Sequence, residues 1–180
     1  MELREEVWWW RPLWKLKCPA KTKLFMWCVL NNKVPTWDVL QKRSFQGPGW
    51  CVMCKRELET THHLFYTCCF SSEVWRVVST LVGFNCQWEG DSIGAAWDSW
   101  WRRTPQKHLK ILPLLVIWGI WLAQNKAIFK DTSSTPAVTG ALAVGFYNSF
   151  LVHIRDARER RLLEVDLDRS SPWAFFDGAA

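Results

Sequence analysis

No apolar leader opens this chain of 180 residues: Met1-Glu-Leu-Arg-Glu-Glu6 is charged and no hydrophobic stretch follows. No secretory signal peptide is therefore expected. Long apolar runs are also missing. The longest, Ile111 to Ala123, is too short to span a bilayer and is interrupted by Pro113, so it reads as a buried helix and no membrane partner is expected. There is no Gly-rich phosphate loop and no nucleophile motif, and no small-molecule substrate is expected. His108 and His153 stand alone in the sequence. A lone histidine on an apolar helix is more often packed than catalytic. With no internal repeat or low-complexity tract either, an enzyme in its own right finds no support.

What is present is tryptophan and cysteine. Fifteen Trp is far above ordinary usage. Indole is large, rigid and partly polar, so most of these side chains are expected in the core, with a minority available to stack on bases. Seven Cys is an odd number. Without a secretory signal they read as reduced and available for metal, not as a disulfide framework. Cys18, Cys28 and Cys86 read as small buried apolar residues.

The remaining cysteines form a pattern. Cys51-Val-Met-Cys54 is followed after eight residues by His63 and after four more by Cys68. Three sulfurs and an imidazole are a full tetrahedral set for zinc, and a site filled by protein ligands is structural. His62 and Cys69 are the alternatives at two positions. His63 is favoured because it precedes the apolar pair Leu64-Phe65, and Cys68 because its spacing closes a compact loop. On that reading His62 is a solvated neighbour and Cys69 a small buried residue.

Net charge is +6, and its distribution is uneven. Residues 1–43 hold nine Lys/Arg against four Asp/Glu, and the remainder fourteen against thirteen. The basic excess is N-terminal and suits phosphate contacts as well as it suits a solvated face. Lys15, Lys17, Lys21 and Lys23 are the candidate phosphate contacts, and Trp8, Trp9 and Trp10 the candidate stacking residues.

The chain reads as mostly helical. Residues 7–18 lie near Pro12 and Pro19 and read as extended, with Trp14 and Leu16 inward. Lys21 to Asn31 reads as a helix with a Leu24, Trp27, Cys28 stripe, widened by Phe25 and Val29. Thr36 is the candidate cap of the next helix, with Asp38 in its first turn. Gly47-Pro48-Gly49 is a turn into the knuckle. Thr60 or Thr61 caps a short helix carrying His63, and Ser71 or Ser72 caps another that ends at Gly83. A helix follows over Ser92 to Arg103, then an apolar one over Gln106 to Lys130 kinked at Pro113, then a linker, then a long helix from Ala137 to Leu167. The charge run Arg155 to Arg161 reads as a solvated face. Trp173-Ala-Phe-Phe176 is a short run of strand type near the end of the chain.

Trp14-Lys-Leu16 with Pro19, Lys23-Leu-Phe-Met-Trp27, Val34-Pro-Thr36, Cys51-x2-Cys54, His63-Leu-Phe65, Cys68 and Glu73-Val-Trp75 together resemble the zinc-binding domain that follows the reverse transcriptase of plant LINE-type (non-LTR) retrotransposons. Trp118-Gly-Ile-Trp121 with Asn125-Lys126 and Phe129 resembles the helical segment after it. Trp173 to Ala179 is similar to the first strand of the ribonuclease H domain that comes next. The resemblance implies that Cys51, Cys54, His63 and Cys68 ligate one structural zinc. Asp177 would match the first metal-binding carboxylate of ribonuclease H, an activity that needs several carboxylates around divalent ions. The others would lie beyond Ala180, and no paired-aspartate polymerase site occurs, so a non-catalytic chain is expected. It reads as a fragment of an element or of a decayed one.

The expected fold is therefore mainly α: a small helical domain built around a Cys3His zinc knuckle, a long helical segment and a truncated terminal strand. The expected divisions are a zinc-binding domain at 8–80, a helical extension at 81–130, a linker at 131–136, a long helix at 137–169 and the start of a ribonuclease H-like domain at 170–180. Expected partners are RNA or DNA and the polymerase and ribonuclease H parts of a parent polyprotein. The resemblance implies action in the nucleus, with no localisation signal to mark it.

Overall fold

A computed structural model describes residues 8–86 and 88–170, with side chains through residue 157. The terminal strand expected at Trp173–Phe176, and Asp177 with it, lie outside the described residues. Among those residues every named element is helical: α1 Trp10–Lys15, α2 Ala20–Leu30, α3 Trp37–Gln41, a π-turn His63–Thr67, α4 Cys69–Val82, α5 Ile93–Arg103, a 3-10 turn Lys107–Ile111, α6 Leu112–Phe129 and α7 Pro136–Ser170. The chain divides into two compact units, residues 1–147 and 148–180.

The first element corrects the extended reading of residues 7–18. Pro12 is the third residue of α1, where a backbone N–H has no intrahelical acceptor, so its absence costs little. Helical spacing then buries Leu13 and Leu16 and leaves Trp14 exposed. Lys23 Nζ donates to Trp14 O at 3.4 Å and Leu16 O at 3.3 Å, satisfying carbonyls that the end of a short helix leaves bare.

In α2 the buried face is Thr22, Met26 and Val29, and Leu24 of the expected stripe is exposed. This helix is apolar nearly all round, so spacing alone does not choose its face. Packing against α6 does. Phe25 sets its ring 6.0 Å from Phe65, 5.1 Å from Trp118 and 5.5 Å from Trp121, centroid to centroid. One aromatic cluster thus joins α2, the π-turn and α6.

α4 starts at Cys69 with Cys68 at its cap position, which corrects the expectation of a Ser71 or Ser72 cap. Both serines lie inside the first turns and bond backward instead, Ser71 Oγ to Leu64 O and Ser72 Oγ to Cys68 O. Gly83 closes the helix at φ 65°, a left-handed conformation that costs glycine nothing. Ser92 caps α5, its Oγ accepting from Ala95 N–H at 3.1 Å.

α6 is the central helix. Leu112 to Ile117, Gly119, Ile120, Ala123 and Gln124 are buried. Pro113 falls in its first turn and starts the helix, where a kink was expected. α6 with its preceding turn, Lys107–Phe129, is long and apolar enough to cross a bilayer, as is Pro136–Ala157. The helix outruns the apolar stretch visible in sequence, and most of the first segment is buried inside the fold. Among the described residues five Trp are buried (Trp9, Trp75, Trp88, Trp97 and Trp100); Trp75 stacks on Trp88 with centroids 4.9 Å apart. Thr135, not Pro136, ends the linker: its O and Oγ1 accept from Thr139 N–H and Val138 N–H at the start of α7. His108 is not isolated, because its Nδ1 meets Tyr147 Oη at 2.6 Å.

Candidate metal centre

Two short local structures bring four donors together. The first is a loop closed by an antiparallel bridge between Trp50 and Leu58. Within it Cys51 N–H donates to Glu57 O at 2.8 Å, and Lys55 N–H to Cys51 O at 2.7 Å. Lys55 takes a left-handed φ of 55° to make that tight return. The loop holds Cys51 and Cys54 toward the same side.

The second is the turn before α4. Thr60 Oγ1 accepts from His63 N–H at 2.9 Å, so of the two candidate threonines Thr60 makes the cap bond. The turn then widens to π geometry, with Cys68 N–H donating to His63 O at 2.8 Å. That extra residue per turn carries Cys68 round to face the knuckle. Leu64 and Phe65 are fully buried and pin the turn to the core.

The ligating atoms of Cys51, Cys54, His63 and Cys68 all lie within 4.8 Å of one another. Cys51 Sγ and Cys68 Sγ are 3.9 Å apart, and Cys54 Sγ and His63 Nε2 3.3 Å. A zinc tetrahedron with ordinary Zn–S and Zn–N bonds has S···S edges of about 3.8 Å and S···N edges of about 3.5 Å. The cluster already has those edges. Cys51, His63 and Cys68 are buried and Cys54 is half-buried. His62 and Cys69 are exposed; for Cys69 this corrects the expectation of burial, because it is the first residue of α4 and faces away from the core.

Without a cation, Cys51 and Cys68 share one proton. The Cys68 thiol is held down to about 5, first by the Cys51 thiol beside it, with help from the N–H groups of Ser71 and Phe70 at the start of α4 and against the effect of burial. The same contact, and burial, push Cys51 above the ordinary thiol range. Two sulfurs this close can both be thiolates only around a cation. His63 is oriented for the same role. Its Nε2 faces Cys54, while Nδ1 lies 3.1 Å from Glu57 Oε2 and 3.2 Å from Thr67 Oγ1. A carboxylate on the far ring nitrogen fixes the tautomer that leaves Nε2 free to ligate.

Glu59 supports the loop from below. It is buried, its Oε1 accepts from Gln124 Nε2 on α6 at 3.1 Å, and its backbone O accepts from Asp38 N–H on α3 at 3.2 Å. Burial pushes its carboxyl above the usual range, against the Gln124 amide and the backbone N–H groups of Trp37 and Val52. Neither Glu57 nor Glu59 was singled out in the sequence, where they read as a polar loop. An acidic residue shortly before a ligand histidine is the signal that could have found Glu57.

The N-terminal candidates do not form one site. Lys15, Lys17 and Lys21 are exposed, while Lys23 is spent on α1. Trp8 and Trp10 are exposed, Trp8 with an edge-to-face contact to Trp97. Trp9 is buried, which leaves it no face for a base and corrects its place among the stacking residues.

Residues 1–75 match a family described as zinc-binding in reverse transcriptase, a span that contains all four clustered residues. The chain is 33% identical over 67 residues to an Arabidopsis thaliana protein named "Putative ribonuclease H protein". That match covers 37% of this chain and 11% of the relative's length. No solved structure matches the chain.

Proposed function

We propose that this chain is the non-catalytic zinc-binding module of a polyprotein from a plant LINE-type retrotransposon, and that it contacts RNA or DNA. The observation that carries the reading is the Cys51, Cys54, His63, Cys68 cluster, with the edges of a zinc tetrahedron, inside the segment similar to the reverse-transcriptase zinc-binding family. Four protein donors fill zinc's coordination and leave no position for a substrate or an activated water, so the metal's part is to hold the loop and the π-turn together. Lys15, Lys17 and Lys21 are exposed in the basic N-terminal region and supply phosphate contacts.

The test is binding of the full chain to single-stranded and duplex oligonucleotides across a salt series. Phosphate contacts release counterions, so affinity should fall steeply with salt, and Lys15→Gln with Lys17→Gln should lower the slope by about one unit per charge lost. No binding at low salt, or binding indifferent to salt, would remove the nucleic-acid part of the reading. The rival reading, a scaffold that docks on polymerase or ribonuclease H domains, would need the apolar Leu112–Leu122 stretch as its docking face. Most of that stretch is buried within this fold.

A further inference from the structure

A cleft of about 700 Å³ opens on the flank of the knuckle, lined by Trp37, Pro48, Trp50, Lys55, Arg56 and Ile128 among others. It lies between α3, the metal loop and the end of α6. Its composition is two indoles, two cations and no carboxylate among its lining residues. We infer that this cleft is a base-stacking subsite for single-stranded nucleic acid, with Trp50 and Trp37 as the ring platforms and Lys55 and Arg56 as the phosphate contacts. The inference rests on the nucleic-acid part of the proposed function and moves its stacking site from the N-terminal tryptophans to the metal loop.

Three observations support it. First, Trp50 keeps 53% of its surface exposed at the mouth of the cleft, a large apolar face left uncovered beside a folded core. Second, the walls are set before any ligand arrives. A Cβ on Gly47 would lie 1.9 Å from the Trp37 ring, so the indole rests directly on glycine backbone. The backbone of Trp50 is held by its bridge to Leu58, one residue from Cys51. Rigid aromatic platforms lose little entropy on stacking, and each base stacked on one gains substantially whatever its identity. Third, Lys55 and Arg56 stand on the return of the metal loop, held there by the Lys55 N–H bond to Cys51 O. Two cations lining the same cleft as two rings match a base joined to its phosphate. Duplex bases are already stacked on each other and cannot enter, so the ligand is single-stranded. The acidic residues nearest in sequence are engaged elsewhere, Glu57 with His63 and Asp38 with the Thr36 hydroxyl.

The test uses the full zinc-loaded chain and a fluorescein-labelled ten-nucleotide oligo(U), read by anisotropy, with zinc content checked for each variant. Trp50→Ala should weaken binding about tenfold, and Trp50→Phe should restore part of it. Arg56→Gln should weaken binding several-fold and lower the salt slope by about one. Trp14→Ala, an exposed indole outside the cleft, should change little. Unlabelled oligo(U) should compete, whereas uridine monophosphate, the same duplexed sequence and poly-glutamate should compete poorly. If the wild type binds and Trp50→Ala binds as well, the cleft is not the subsite, although the chain still contacts nucleic acid. Effective competition by the mononucleotide or by poly-glutamate would overturn the inference in favour of a nucleotide pocket or an acidic-peptide site. A zinc-loaded wild type that binds no oligonucleotide would sink both the cleft and the nucleic-acid reading.

Discussion

His63 reaches the metal cluster with one ring nitrogen and is held by the other. Glu57 is the carboxylate on that second nitrogen. Outer partners of this kind typically change metal affinity by ten- to a hundredfold. Glu57→Ala should therefore weaken zinc binding about tenfold or more in competition with a chromophoric chelator, and Glu57→Gln, whose amide oxygen can still accept from Nδ1, should retain much of it. Equal affinity for all three proteins would remove Glu57 from the site. Glu59 offers a different test, because its carboxyl is raised by burial and Gln124 Oε1 has no partner. A raised carboxyl stabilises the fold when protonated, and that contribution is lost as pH rises through its folded value. Glu59→Gln removes the ionisation and can donate to Gln124 Oε1, so it should raise the melting temperature near pH 7, by about 1 kcal/mol of stability. The advantage should shrink as pH falls and Glu59 takes up its proton. At this scale the sequence displayed the donors through spacing alone. It hid both glutamates, because a buried or metal-supporting carboxylate looks like any other polar loop residue until the chain folds over it.

Helix α7 meets its neighbours through glycine and so gives a paired test at the scale of elements. A Cβ on Gly140 would fall 2.7 Å from Val77 Cγ1 and 3.0 Å from its Cβ, on α4. A Cβ on Gly119 of α6 would meet Ala143 Cβ at 3.5 Å, an ordinary contact. Gly140→Ala should thus force the helices apart and cost about 1–3 kcal/mol. Gly119→Ala should be neutral or stabilise by up to about 1 kcal/mol through helix propensity. Thermal denaturation of the two variants checks the contrast, and a harmless Gly140→Ala would mean that the helices do not meet there. Where helices occur was largely readable. The Lys21–Asn31, Ser92–Arg103 and Ala137–Leu167 readings fall on α2, α5 and α7 within a few residues, because apolar content and Gly, Ser and Pro punctuation mark them. The faces were less readable. α2 is apolar on every side, and only α6 decides that Met26 turns in and Leu24 out. Pro12 and Pro113 look like breaks in sequence because position within the first turn, which makes proline harmless, depends on boundaries that a sequence does not print.

Across residues 1–147 the metal cluster, the aromatic cluster around Phe25 and the buried α6 share elements. The π-turn carries His63 on one side and Phe65 in the core on the other. Zinc binding and packing of this turn are therefore one event, and the metal's binding energy becomes folding energy. Chelation should lower the helical signal and the melting temperature together. Because thiolates and neutral imidazole are the ligating forms, the loss should come more readily as pH falls.

The most direct measurement is zinc content of the purified chain by elemental analysis, beside single variants of the four clustered residues and of their neighbours. A closed Cys3His site predicts about one zinc per chain. It should be lost in Cys54→Ser, His63→Gln and Cys68→Ser, with helical signal falling alongside, and kept in His62→Gln and Cys69→Ser. A wild type without zinc, or one whose zinc survives Cys68→Ser and His63→Gln but not the neighbouring changes, would contradict the site drawn here.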